Sequence, residues 1–99
     1  MSYQLTGKAE EDVISIYLEG LKTFGEAQSE RYHLELEGVF ETIGHSPYLA
    51  RERQDLCPPM RVHPHGSHIN IYQVDAAKNV LIVRVRHARE DWVAAPIEV

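Results

Sequence analysis

The chain contains a single cysteine, Cys57, and no apolar run that approaches the roughly 18–20 residues of a membrane-spanning helix. A lone thiol cannot form a disulfide within the chain, which is typical of proteins from a reducing compartment. The first residues lack a basic region followed by an apolar stretch, so we expect no export signal. These absences predict a cytoplasmic protein that does not enter a membrane.

Positive charge is scarce as well. The chain has ten lysine and arginine residues and fifteen aspartate and glutamate residues, which gives a net charge of −5. Residues 1–60 hold five basic and eleven acidic side chains, whereas residues 61–99 hold five basic and four acidic ones. Non-specific nucleic-acid binding needs many lysine and arginine contacts to phosphates. The charge therefore disfavours that function and assigns any anion-binding surface to the C-terminal part.

The remaining composition is that of a globular protein, with 43% hydrophobic and 25% charged residues. A chain of 99 residues is expected to form one domain around one two-layer core. Such a domain has no room for a large cofactor cleft, and we expect no cofactor.

The first helix is predicted from the spacing of apolar residues after Thr6, which is a candidate N-cap. The helix is expected to end at Phe24-Gly25, where glycine allows a left-handed backbone conformation. Its core-facing stripe is expected to consist of Ala9, Val13, Ile16, Tyr17 and Phe24, widened by Ile14 and Leu21.

A second helix is predicted from about Glu26 to Ile43, with Gly44 as its cap and Pro47 preventing its continuation. The short break between the two helices predicts an antiparallel hairpin. The apolar face of the second helix is expected to consist of Tyr32, Leu36, Val39, Phe40 and Ile43.

Three strands are predicted after an irregular segment over residues 45–59, namely Met60–Pro64, His68–Val74 and Val80–Arg86. The short turns between them predict antiparallel pairing. A further short strand can end at Gln4–Thr6. The expected fold is therefore α+β, with the helix hairpin packed on one face of a twisted three- to four-stranded antiparallel sheet.

The last strand carries the most suggestive polar residues. Arg84 and Arg86 lie two residues apart, so a regular strand places them on one side of the sheet, opposite Val83 and Val85. Guanidinium groups in that position can bind the carboxylates of a partner helix or the phosphates of a substrate. The alternative is that both are solvated charges on an open sheet face.

The histidines and the cysteine near the third strand suggest zinc, but His63, His65 and His68 lack the paired spacings of structural zinc sites. We therefore expect no metal, and we interpret His68 as a hydrogen-bonding residue that fixes the start of the central strand. No serine lies in a Gly-x-Ser-x-Gly turn, and no glycine-rich phosphate loop is present. We expect no catalytic residues.

Several short strings occur in a fixed order along nearly the whole chain. They are Tyr3-Gln4-Leu5-Thr6, Phe24-Gly25, Ser46-Pro47, Gly66-Ser67-His68, Ile71-Tyr72-Gln73-Val74 and Val83-Arg84-Val85-Arg86-His87-Ala88-Arg89. Together they resemble the ParE branch of the RelE/ParE superfamily of toxins.

This resemblance implies the toxin of a type II toxin–antitoxin system, neutralised by a ParD-like antitoxin. We expect the antitoxin to lay a helix, alone or with a strand, over the groove between hairpin and sheet. DNA gyrase is the implied target of the free toxin, and DNA contact is expected only through the antitoxin. The RelE branch instead cleaves messenger RNA on the ribosome, and an interaction domain without toxicity is a third possibility.

The surface that we expect to bind target or antitoxin consists of Arg61, His68, Arg84, Arg86, His87, Arg89 and Trp92. The resemblance to the RelE branch implies a tyrosine near the C-terminus for RNA cleavage, but no tyrosine follows Tyr72 in this chain. Because an indole cannot exchange protons as a phenol does, Trp92 disfavours cleavage by that route. In the ribonuclease alternative, His87 serves as the base.

Overall fold

A computed structural model describes residues 3–90, which form two helices and five strands. The helices are α1 (Gly7–Phe24) and α2 (Glu26–His45), and the strands are β1 (Tyr3–Leu5), β2 (Glu52–Arg53), β3 (Met60–His65), β4 (His68–Val74) and β5 (Val80–His87). One sheet holds all five strands in the order β1-β5-β4-β3-β2. The predicted α+β fold, a helix hairpin with a sheet, is confirmed.

The sheet has more strands than predicted and is not wholly antiparallel. β2 lies in the segment that was predicted to be irregular and pairs with only two residues of β3. β1 runs parallel to β5, from Tyr3 opposite Val80 to Leu5 opposite Ile82. A parallel pair needs a long connection, and here the connection contains the whole hairpin and the other strands.

Thr6 begins α1 and joins it to the sheet. Its hydroxyl oxygen accepts a hydrogen bond from the backbone N–H of Ala9 at 3.0 Å, which confirms the predicted N-cap. The same hydroxyl donates to the carbonyl oxygen of Val83 at 2.7 Å. The start of the helix is therefore fixed against β5.

The end of α2 lies two residues beyond the predicted one. Gly44 is buried inside the helix, so it is not the cap, and Ser46 ends the helix by donating its N–H to the carbonyl oxygen of Thr42 at 2.9 Å. Ser46 precedes Pro47, and a residue before proline is disfavoured in the helical conformation. Pro47 therefore ends α2, because it keeps the preceding residue, Ser46, out of the helical conformation.

Small side chains let the two helices approach closely. Ser29 is only 4% exposed, and its hydroxyl donates to the carbonyl oxygen of Tyr17 at 2.7 Å. A Cβ added to Gly20 would lie 2.5 Å from the Ser29 hydroxyl oxygen and 3.1 Å from its Cβ. The contact between the backbone of Gly20 and the short side chain of Ser29 thus sets the distance between α1 and α2.

A bulge in β5 changes which face of the sheet its side chains reach. Ile71 pairs with Arg84 whereas Tyr72 pairs with Ile82, so Val83 is an extra residue. Val85 belongs to the core cluster under the helices, but Val83 belongs to a second buried cluster with Leu56, Met60, Ile69 and Ile71. The prediction that Val83 and Val85 share one face was therefore wrong, because the bulge breaks the period of two.

Glycine substitutions test the close approach of the helices. Replacing glycine by alanine inside a helix gains about 1 kcal/mol, whereas overpacking a tight contact costs about 1–3 kcal/mol. We expect Gly20→Ala to lower the melting temperature. The matched control is Gly38→Ala in α2, where nothing lies within 4 Å of the added Cβ; it should raise the melting temperature by about 4–8 °C per kcal/mol gained. Equal stabilisation by both variants would contradict the close contact.

Candidate functional site

An apolar groove with a volume of about 510 Å³ lies between the hairpin and one end of the sheet. We call it the hairpin groove. The second half of α1, the first half of α2 and the end of β5 with the β3–β4 turn form its walls, chiefly through Ile16, Tyr17, Phe24, Tyr32, Leu36, Ser67, His68 and His87.

The groove exists because only part of the hairpin packs on the sheet. The helix residues that are buried in the core cluster come from the start of α1, at Ala9 and Val13, and from the second half of α2, at Leu36, Phe40 and Ile43. The hairpin tip between the two helices contributes no residue to that cluster. The ends of the helices nearest the tip therefore line the groove and do not enter the core cluster.

Phe24 corrects a prediction at this wall. Its helical spacing indicated a core residue, but its side chain is 62% exposed and lines the groove. Phe40, the corresponding aromatic residue of α2, is 2% exposed, as predicted. The difference arises because periodicity identifies the inward face of a helix but not whether another layer covers that face.

Tyr32 connects α2 to the β3–β4 turn at the bottom of the groove. Its hydroxyl lies 2.7 Å from Nδ1 of His68 and 3.1 Å from the carbonyl oxygen of His65, to which it donates. Gly66 in this turn has φ 57°, and a Cβ there would lie 2.8 Å from the Tyr32 hydroxyl. Glycine is thus required both by the turn and by the contact.

His68 is the first residue of β4 and has a neighbouring ring on each side. Its ring centroid lies 5.4 Å from that of His87 and 5.6 Å from that of Tyr32. Burial lowers the pKa of His68, and the nearby His87 lowers it further. Burial also raises the pKa of Tyr32. Both pKa shifts favour the neutral form of the group concerned.

Arg84 binds the first helix. Its Nε lies 2.7 Å from Oδ2 of Asp12 and its Nη2 lies 2.9 Å from Oδ1, a bidentate ion pair. The backbone N–H of Val85 also donates to Asp12 Oδ2 at 3.0 Å. The side chains of Arg84 and Asp12 are only 11% and 16% exposed. This arginine holds α1 against β5.

The other predicted arginines also contact their own chain. Nη1 of Arg61 donates to the carbonyl oxygen of Ala50 at 2.6 Å, and its guanidinium carbon lies 5.0 Å from the ring centre of Tyr48. Arg86 forms an ion pair with Glu90. Arg61 therefore holds the segment after α2, and Arg86 the turn after β5.

Two of the predicted site residues, His68 and His87, line the groove together. Arg89 is exposed, and its backbone N–H donates to Nδ1 of His87 at 3.1 Å. Trp92 lies outside the described residues. Sequence reasoning missed Asp12 as a site residue, because nothing distinguishes it from ten other acidic residues in the first 60.

Metal and membrane hypotheses were tested on residues 3–90. Within that range, no three histidine, cysteine, aspartate or glutamate side chains are placed to hold a metal ion. Cys57, the thiol of the zinc hypothesis, is exposed. Neither helix of the described part is long and apolar enough to cross a membrane.

Comparison with protein families gives a match over residues 3–92 to the model described as the ParE toxin of the type II toxin–antitoxin system parDE. The chain belongs to the ParE toxin family. Family membership makes it the toxin of a ParDE-type pair and implies an antitoxin partner.

A solved structure described as a chromosomal ParDE toxin–antitoxin system from P. aeruginosa is similar to this ParE toxin, with a TM-score of 0.74. The two chains are 18% identical, and the match covers 88% of this chain and 95% of the other. The likeness shows a shared fold. A search of curated proteins found no match.

The half-buried His68 predicts a pH dependence of stability. An unfolded histidine has a pKa near 6.5, and the pKa of His68 in this ParE toxin is lower. The unfolded state thus binds the proton more readily, so the contribution of His68 to stability is complete above pH 6.5 and is lost as the pH falls below it.

Denaturant unfolding between pH 5 and pH 8 measures this effect. His68→Asn, which keeps a polar group near the position of Nδ1, should flatten the dependence, whereas His45→Asn at the exposed end of α2 should leave it unchanged. If the stability of His68→Asn depended on pH as strongly as that of the wild type, the interpretation would be wrong.

The ion pair between Asp12 and Arg84 predicts a large loss of stability in Asp12→Ala. The substitution removes the carboxylate that pairs with the largely buried Arg84 guanidinium and accepts from the Val85 N–H, and breaking a buried pair in this way costs about 3–5 kcal/mol. The double variant Asp12→Ala/Arg84→Met should recover part of the loss. Asp55→Ala, which removes the exposed partner of Arg53, should change the free energy of unfolding little. Equal effects of the two single variants would refute this interpretation.

Proposed function

We propose that the hairpin groove binds a helix of a ParD-like antitoxin, and that the free toxin inhibits DNA gyrase by binding to it. The observation that carries this proposal is the open apolar groove beside an incompletely covered hairpin. Membership of the ParE family supports it, because the toxin of a parDE pair acts with an antitoxin.

The groove has the chemistry of a helix-binding surface. Amphipathic helices bind apolar grooves through side chains spaced three or four residues apart. Ile16, Tyr17 and Phe24 on one wall face Tyr32 and Leu36 on the other, so both walls offer apolar contacts. Phe24, with 62% of its side chain exposed, loses the most water contact when a partner covers it.

The arrangement of charges favours binding over RNA cleavage. Phosphodiester cleavage needs cations for the phosphate together with groups that exchange protons. Arg84 and Arg86 are engaged by carboxylates of this chain, and Arg61 is engaged by a backbone carbonyl. His68 shares its Nδ1 hydrogen bond with Tyr32. These contacts support a toxin that acts by binding.

Antitoxin binding can be tested at Phe24. We expect Phe24→Glu to weaken binding of the antitoxin encoded beside the toxin gene at least tenfold, about 1.4 kcal/mol, because the charge enters an apolar contact. Leu49→Glu is the matched control, since Leu49 is 43% exposed and lies outside the residues that line the groove. Titration calorimetry measures both. Equal affinities would exclude the groove as the antitoxin site.

The target can be tested with purified gyrase in a supercoiling assay. We expect toxin released from its complex to inhibit supercoiling in proportion to its concentration, and added antitoxin to restore the activity. Undiminished supercoiling at excess toxin would contradict the gyrase proposal. Prompt loss of translation with cut messages after induction in cells would instead favour the ribonuclease activity of the RelE branch.

A further inference from the structure

A second apolar surface lies on the outer side of the hairpin. Ile14 and Leu18 are one turn apart on α1 and are 58% and 51% exposed, and Leu34 on α2 is 66% exposed. We call these three residues the outer stripe. A shallow cleft of about 310 Å³ lies between the helices here and is lined by Ile14 and Leu34 together with Glu30.

The outer stripe is not used by the fold or by the hairpin groove. Neither Ile14, Leu18 nor Leu34 belongs to the core clusters or lines the groove. Single exposed leucines are common, but neighbouring large apolar side chains on one face are typical of an interaction surface.

The charge around the stripe indicates the sign of its partner. Residues 7–45 carry nine acidic and three basic side chains. Three or four residues from a member of the stripe, and so on its side of the helix, lie four glutamates and two basic residues, namely Glu10, Glu11, Glu30, Glu37, Lys22 and Arg31. A second copy of this chain would bring one acidic hairpin against another, which is unfavourable. A positively charged partner is complementary.

The two surfaces of the hairpin meet at one point. Tyr17 and His33 line both the hairpin groove and the outer cleft, and their ring centroids lie 5.7 Å apart. A chain that leaves the groove can therefore cross this ring pair and continue onto the outer stripe without leaving the surface.

We propose that the outer stripe binds a basic amphipathic helix of the antitoxin, whose apolar side chains contact Ile14, Leu18 and Leu34 while its lysines and arginines face the surrounding glutamates. The proposal rests on the antitoxin partner of the proposed function and adds the charge and the second contact surface of that partner. Opposite charge across an interface raises the association rate and makes it sensitive to salt.

The test uses the full-length product of the reading frame adjacent to this toxin gene, purified as the complex and separated for titration. We expect Glu30→Lys/Glu37→Lys to weaken binding at least tenfold at low salt and to reduce the salt dependence of the affinity. Leu18→Ser/Leu34→Ser should weaken binding at all salt concentrations. The control is Glu52→Lys, one substitution of the same kind at an exposed position of β2 and half the charge change of the double variant, which should leave the affinity and its salt dependence nearly unchanged.

Each outcome decides the proposal. Unchanged affinity in both outer-stripe variants, with weaker binding by Phe24→Glu, would overturn this inference and leave the groove proposal intact. Absence of binding by the wild-type toxin would overturn both. If Leu18→Ser/Leu34→Ser abolished self-association of the free toxin without affecting antitoxin affinity, the stripe would bind a second copy, and the inference would be wrong. Melting temperatures near the wild-type value show that the variants fold.

Discussion

The ion pair between Asp12 and Arg84 determines where the helix hairpin lies. It joins the first third of α1 to β5, and the Thr6 hydroxyl adds a second contact from the start of α1 to Val83 on the same strand. Both contacts are at the end of the helix that is distant from the hairpin tip. The tip is therefore supported mainly by Tyr32 at the β3–β4 turn, and the space beside it is the hairpin groove.

Arginines and histidines that the sequence assigned to a binding surface also make contacts within the chain. Arg61 and Arg84 stabilise the fold through acceptors far away in the sequence, at Ala50 and Asp12. His68 and His87 lie at the groove, where burial lowers the pKa of His68. The late-strand arginines Arg84 and Arg86 are both paired with carboxylates of this chain.

The sequence predicted the features that depend on neighbouring residues. The cap at Thr6, the hairpin break at Gly25 and the buried stripe of α2 follow from local spacing and backbone preference. The bulge at Val83 depends on the register with β4, and the partner of Arg84 is 72 residues away. Such pairings have no local signal, so the face of each β5 side chain could not be predicted by alternation.

The same limit explains why burial at the hairpin could not be predicted. Helical periodicity placed Phe24 on the inward face correctly, but the length of the covering sheet decides whether that face is buried. Ile14, which was assigned to the edge of the core stripe, is 58% exposed on the outer side of the hairpin, because a stripe defined by spacing has no sharp edge. Periodicity describes one helix, whereas burial is a property of two layers.

The contact of Gly20 with Ser29 has a consequence for how the toxin meets its partners. The backbone of Gly20 and the short hydroxyl side chain of Ser29 set the spacing of the two helices. Where the helices meet, the walls of the hairpin groove are therefore rigid and have no long side chains that must reorganise. The entropy lost on association then falls mainly on the incoming chain. A partner that dissociates therefore leaves a surface that needs little reorganisation before the next association.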